Sequence, residues 1–429
     1  MINFRNRIAL AALLGLGLSA GWAIQAAASG ASQPPPLVSK GPALVLPVIV
    51  RPATVQTGPS LDCVVTRAAV IPITALAFSP DGKTLAVGGY REVVLWDLAG
   101  VKLARRIAID GYVGAVAFLP NGTLGVGAGT PYVSGTVRFL DPATGKETGR
   151  LSGPEDVVIS LAVAADGKLL AASAAGKVAY VWNVAQNKLV TRIEGHCDRI
   201  LHVAFSPDGK FLTTCGADNA AQVCSVGDWT SVARFTEAYA VRGSAFHSDD
   251  VQVLLAIGGP DGSGLRFRKT DALGFRRPIP IGAAIPLGMV GPSKTGRVYV
   301  PCTDKTVKVF DIRSGGQLAT LNGHQDWVHA VALSSDETKF ASASADGTIK
   351  LWNALDNRLL ATLVQLAPRA DDWLILAAQG YVATSSPAAL AWKADKLTMP
   401  PDQLTAKLQD LEKVGKAIAG EKLLLPVLK

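Results

Sequence analysis

The stretch GHQDWVHAVALSSDETKFASASADGTIKLWN, residues 323–353, decides how this chain is read. Its apolar residues alternate in three segments, VHAVAL, KFASAS and TIKLW, broken by SSDET and ADG. A period of two marks half-buried strands, and Asp-Gly tolerates the positive φ of a tight hairpin turn. The closing apolar run with its aromatic recurs upstream as VVLWD at 93–97, VRFLD at 137–141, YVWN at 180–183 and VKVFD at 307–311. Weaker copies are AQVCS at 221–225 and LRFRK at 265–269. Trp96, Leu140, Trp182, Cys224, Arg268, Phe310 and Trp352 thus hold equivalent places, 42 or 44 residues apart.

A second landmark keeps step with the first. It reads LAFSPDG at 76–82, VAFLPNG at 116–122, LAVAADG at 161–167 and VAFSPDG at 203–209. Degenerate copies are SAFHSDD at 244–250, MVGPSKTG at 289–296 and VALSSDE at 331–337. Each repeat supplies a strand, a turn, a second strand, the aromatic-bearing third and a fourth such as KLARRIAI at 102–109. Four short antiparallel strands at this spacing make one propeller blade. The expected fold is therefore all-β: a seven-bladed β-propeller of four-stranded blades over residues 61–365. Low aromatic content (6%) with 43 Gly and 25 Pro suits many short strands joined by turns.

These residues resemble the WD-repeat family, in which Gly-His, a strand Ser or Thr, a turn Asp and a Trp form one hydrogen-bonded set. The last repeat carries Gly323-His324, Ser342, Asp346 and Trp352. The resemblance implies that Asp346 holds His324, His324 meets Ser342, and Ser342 receives the indole N–H, leaving no interior polar atom unpaired. The fourth repeat has His196, Thr214 and Asp218 at the same offsets, with Cys224 in place of the Trp. The sixth keeps Asp304 with Phe310, and the other four are expected to rely on apolar packing alone. The family's architecture supports many unrelated functions, so the resemblance names no ligand.

Outside the repeats, Met1–Arg7 is a short basic start, Ile8–Ile24 an apolar run, and Ala26-Ala27-Ala28 a small-residue cleavage site. This reads as a signal peptide over 1–28 cut after Ala28, expected to leave no stable membrane span and to place the chain in a bacterial periplasm or outside the cell. Residues 29–60, with three successive prolines, read as a linker whose apolar end, Ala43–Val50, can lie against the folded body. Residues 61–70, LDCVVTRAAV, read as a strand that replaces or covers the outer strand of the last blade. Residues 366–429 read as a C-terminal extension, similar to that of exported planctomycete WD-repeat proteins, with a hairpin and one amphipathic helix. The helix is carried by Leu404, Leu408, Leu411, Val414 and Ile418, with its stripe docked on the propeller. Alternatively 371–393 forms part of an eighth blade, Trp392 lying 40 residues after Trp352.

The chemistry expected is binding rather than catalysis. Inner-strand segments such as ITALAF, GAVAF and ILHVAF are small and nearly free of acids, whereas a metal-dependent hydrolase needs several converging ligands. His202 and His329 are read as satisfied structural histidines on opposite sides, and the His324–Ser342–Asp346 set is not a catalytic triad. Five cysteines without a CxxC spacing exclude c-type haem attachment and zinc knuckles, and no cofactor or metal is expected. Net charge is +8 without a basic block, so no nucleic-acid partner is expected. GAGTPYVSGT (127–136) and GGPDGSG (258–264) join strands and are read as loop insertions, not phosphate cradles.

Function is expected from a monomeric propeller with a protein-binding rim. Loops before the inner strands and turns between second and third strands share one end of the ring. Candidates there are Trp327, Arg199, Asp326, Asp198, Tyr90, Arg91, Tyr132 and Asp261, the aromatics and arginines being types enriched at interface centres. The alternatives kept are an enzyme or redox accessory acting at the channel, and a self-assembling envelope component.

Overall fold

A computed structural model describes residues 46–50, 61–67, 72–246, 252–259, 262–269, 278–366, 370–394, 400–424 and 426. The signal-peptide reading over 1–28, most of the linker and the candidate Asp261 lie outside these residues. The repeats fold as seven antiparallel sheets arranged as the blades of a propeller. The first blade, Ala75–Phe78, Thr84–Gly89, Glu92–Asp97 and Lys102–Ala108, has its strands in chain order from the channel outward. The second to fifth blades repeat this order.

The Trp position has a structural meaning. In six blades the pairing of third and fourth strands slips by one residue there, at Trp96, Leu140, Trp182, Cys224, Phe310 and Trp352. A one-residue slip is a β-bulge, which bends and twists the strand locally. The residues themselves pack toward the preceding blade, Trp182 with Val137 and Leu151, and Trp352 with Tyr299 and Val309. The inner strands abut closely. A Cβ on Gly114 would lie 2.2 Å from the Val158 carbonyl oxygen of the next blade, so only glycine fits at that position.

Two blades depart from the pattern. In the sixth, the inner strand is reduced to bridges at Pro286 and Val290, leaving three full strands, because its segment carries Pro286 and Pro292. The seventh is widened to six strands, since Trp373–Ala377 pairs with Leu359–Gln365 and Val382–Thr384 follows. Residues 371–393 therefore do not found an eighth blade: the first part extends the seventh, and Leu390–Ala394 pairs with Leu61–Arg67. Leu61–Arg67 also pairs with Leu46–Val50, a strand inside the stretch read as linker. The outer strand of the seventh blade is not replaced. It is covered, with Cys63 packing among Val364, Leu374 and Leu376.

The C-terminal segment forms two helices, α1 (Pro401–Leu408) and α2 (Leu411–Ile418), rather than one. The break falls where the Asp410 N–H bonds the Val382 carbonyl at 3.0 Å and the Asp410 side chain caps α2 by accepting from the Lys413 N–H. Leu404 and Leu408 bury against the seventh blade's outer strands. Val414, Ala417 and Ile418 join a core shared by the seventh and first blades, with Trp96, Val101 and Leu363. Only Leu411 of the predicted stripe stays open, at 55% exposure, so the stripe offers no surface for self-assembly.

One polar atom of this core is left over. Trp352 donates its indole N–H to Ser342 at 2.9 Å, whereas the buried Trp96 indole N–H has no partner. Ala86, ten residues before Trp96, stands where Ser342 stands before Trp352. Ala86→Ser should therefore raise stability by about 1 kcal/mol, read as a higher denaturation midpoint. An unchanged or lower midpoint would show that the hydroxyl does not reach the indole.

Candidate interaction rim

With antiparallel strands in order, the loop entering each inner strand and the turn between second and third strands fall at one end of the ring. Hydrogen bonds lock the two together. In the fourth blade the Asp198 carboxylate accepts from the Arg199 N–H at 2.7 Å, and the Arg199 carbonyl accepts from the Ala217 N–H at 2.8 Å. In the seventh, Asp326 accepts from the Trp327 N–H and the Trp327 carbonyl from the Ala345 N–H, both at 2.9 Å. The third blade repeats the bracket with Asp156, Val157 and Ala175. Asp156 was not among the sequence candidates, yet it carries the same signal: an Asp two residues before the buried start of an inner strand.

Asp156 also braces a neighbouring turn, since its carboxylate accepts from the Tyr132 N–H at 2.9 Å. Tyr132 is 89% exposed and Val133 70%, and Tyr132 holds φ at 60°. A left-handed backbone at a bulky residue is uncommon and is kept only where its surroundings enforce it. In the first blade Tyr90 is 57% exposed, and Arg91, also at φ 60°, faces Asp110 at 3.9 Å. Asp110 faces Arg138, on the third strand of the second blade, at the same distance. Asp326, Trp327, Tyr90, Arg91 and Tyr132 thus share one sector, the adjoining seventh, first and second blades. Asp198 and Arg199 stand apart in the fourth. Val133 was missed, although an apolar residue at a turn tip was visible in the sequence.

Beneath the rim the polar sets pair off. His324 Nδ1 lies 3.2 Å from Asp346 and its Nε2 2.8 Å from Ser342. Burial alone would raise the Asp346 carboxyl, but His324 and the bonds from Gln325 N–H and Thr348 hold it well below the usual carboxylate range. In the fourth blade His196 lies 2.9 Å from both Asp218 and Thr214. The fifth blade does not rely on apolar packing alone. Arg268, at its Trp position, and Arg266 both pair with the buried Glu237.

His202 shares a 3.3 Å contact with Ser244 across two inner strands, and burial pushes its imidazole down to about 4. His329 is not satisfied: neither ring nitrogen meets a protein partner. The five cysteines are free thiols, Cys197 exposed and the rest buried. Among the described residues no cluster of His, Cys, Asp or Glu is placed to hold a metal ion, and no helix is long and apolar enough to cross a membrane.

Against known families, residues 66–97, 145–183, 187–225 and 315–353 match the model of the WD domain, G-beta repeat. Over these four segments the chain is similar to the WD40-repeat family. Among relatives, the chain is 35% identical over 69 residues to a guanine nucleotide-binding protein subunit beta of Schizosaccharomyces pombe, covering 16% of this chain and 23% of that one. It is 42% identical over 65 residues to mitochondrial division protein 1 of the same organism, covering 15% and 10%. It is 39% identical over 51 residues to human WD repeat and SOCS box-containing protein 1, covering 12% of each. The chain thus spans between a tenth and a quarter of the length of these relatives.

Proposed function

We propose that this chain is a non-catalytic interaction scaffold, exported to the bacterial envelope or exterior, that binds a protein partner through the rim of the seventh, first and second blades. WD40 propellers are typically protein-interaction scaffolds. The observation that carries the reading is the Tyr132-Val133 tip, exposed, held in left-handed backbone and braced by Asp156 from the next blade. An aromatic fixed in the open costs solvation and strain that a purely structural turn avoids, and aromatics with arginine dominate interface energetics. Arg91 and Trp327 extend the patch, and Arg199 supplies a separate contact on the fourth blade. Export rests on the basic start, apolar run and Ala26-Ala27-Ala28 site.

The test compares partners captured from an envelope extract by the mature chain and by two variants of equal thermal stability. Tyr132→Ala with Trp327→Ala should weaken capture at least tenfold, since truncating a central interface aromatic that acts as a hot spot costs about 2 kcal/mol or more. Arg199→Ala should weaken it less. Capture unchanged in the first variant contradicts the rim assignment.

A further inference from the structure

We propose that His329 makes the seam between the seventh and first blades acid-labile: a proton taken up by its ring opens that seam at the rim. The seam is where the ring closes. Successive blades elsewhere are joined by a short loop, but the chain leaves the seventh blade for Trp373–Ala377 and never passes directly to the first. At the rim the junction is carried by the Ile73 N–H bonding the Ser344 carbonyl at 3.4 Å, and at the opposite end by Ser335 Oγ donating to the Pro80 carbonyl.

His329 occupies the register slip at the rim end of the seventh inner strand, between Val328 and Ala330. The matching slip falls on Gly114, Ile159, Leu201 and Arg242 in other blades, and at Gly114 it abuts the next inner strand. The ring of His329 is 7% exposed, lies edge-on to Trp327 at 6.4 Å, and has no protein partner on either nitrogen. A neutral imidazole is tolerated there, but an imidazolium needs two acceptors. The acids that act on it are Asp326, from the entering loop, and Asp346, from the turn between second and third strands. Asp346 is engaged by His324, Gln325 and Thr348, and Asp326 by the Trp327 N–H. The first blade offers none, since Pro72–Phe78 has no titratable side chain. The sixth offers the Cys302 carbonyl, already accepting from the Val328 N–H, and a Cys302 thiol that burial keeps protonated. A proton on His329 must therefore draw Asp326 off the Trp327 backbone or bring water into the seam, and either change moves the rim first. Burial correspondingly pushes the imidazole down to about 4.

The test is peptide-resolved amide hydrogen exchange on the whole chain at pH 7 and pH 5, corrected for intrinsic rates, with His329→Phe alongside. The expected result is a roughly 20-fold loss of protection at pH 5 in peptides covering Val328–Leu333 and Ala75–Phe78. Val158–Val163 should be spared, and His329→Phe should abolish the loss. Equal loss in both proteins, or loss in every blade together, overturns the proposal. Should His329→Phe not fold, a proton NMR titration of the wild-type His329 ring decides: a midpoint well below 6.5 is expected, and an ordinary one overturns it.

Discussion

Asp346→Ala is expected to cost the propeller about 3–5 kcal/mol, because it removes one buried acceptor that several buried donors share. Asp346 accepts from Gln325 N–H at 2.7 Å, from Thr348 N–H at 2.8 Å, from Thr348 Oγ1 at 2.7 Å and from His324 Nδ1 at 3.2 Å. With Nδ1 protonated, Nε2 accepts from Ser342, whose oxygen accepts the Trp352 indole N–H. Removing the carboxylate frees the tautomer and leaves several buried donors without acceptors, each a desolvation penalty of about 1–3 kcal/mol before relaxation. Denaturant unfolding reads the change as a lower midpoint at unchanged slope. The sign with pH also follows: a carboxyl held below its ordinary value stabilises the fold above about pH 4, and that contribution is lost as pH falls further. A cost under 1 kcal/mol would mean that the seventh blade stands on apolar packing alone.

The second large effect lies at alkaline pH. Burial raises the thiols of Cys63, Cys215 and Cys302 from 9.0 to about 12. A group whose folded value is raised contributes stability that is complete below its unfolded value and is lost as pH climbs toward the folded one. Each thiol therefore removes up to about 4 kcal/mol between pH 9 and 12, at about 1.4 kcal/mol per unit. Two cations work the other way, because burial lowers Lys350 to about 8 and Arg242 to about 10, so their burial penalties ease as pH rises. Tyr112, raised by burial, adds to the loss. The net expectation is a fall of several kcal/mol above pH 9. Replacing the three cysteines by Ala, compared at matched stability at pH 7, should flatten that fall. An equally steep fall in the triple variant would contradict it.

How much of this was legible in the sequence follows from what each feature depends on. The blades were legible because each repeat is a local unit whose strands pair with their chain neighbours, so period and turns suffice. The parts that were not depend on distant pairing. Trp373–Ala377 has the same alternation as a blade strand, and only the open edge at Leu359–Gln365 decides where it goes. Leu46–Val50 was hidden by its prolines and paired with a strand more than ten residues away. The break between α1 and α2 comes from a backbone bond to Val382, which no helical periodicity reports. At the rim, turn tips such as Tyr90 and Tyr132 were visible as interruptions of the strand pattern. The braces that hold them were not, because Asp156 acts on a turn 24 residues earlier. The buried Glu237 with Arg266 and Arg268 was likewise read as an absence of polar structure, since the pairing replaces the repeat's own set with another chemistry.

The central claim, that the rim of the seventh, first and second blades is a binding face, is tested most directly by a photo-crosslinking side chain placed at Tyr132 or at Val190. Tyr132 stands on the rim, whereas Val190 is exposed on the outer strand Lys188–Ile193 of the third blade. Irradiation in the native envelope should give a discrete adduct to one protein from position 132 and none from 190. An adduct from 190 with none from 132 would contradict the claim and place the binding face on the propeller's side.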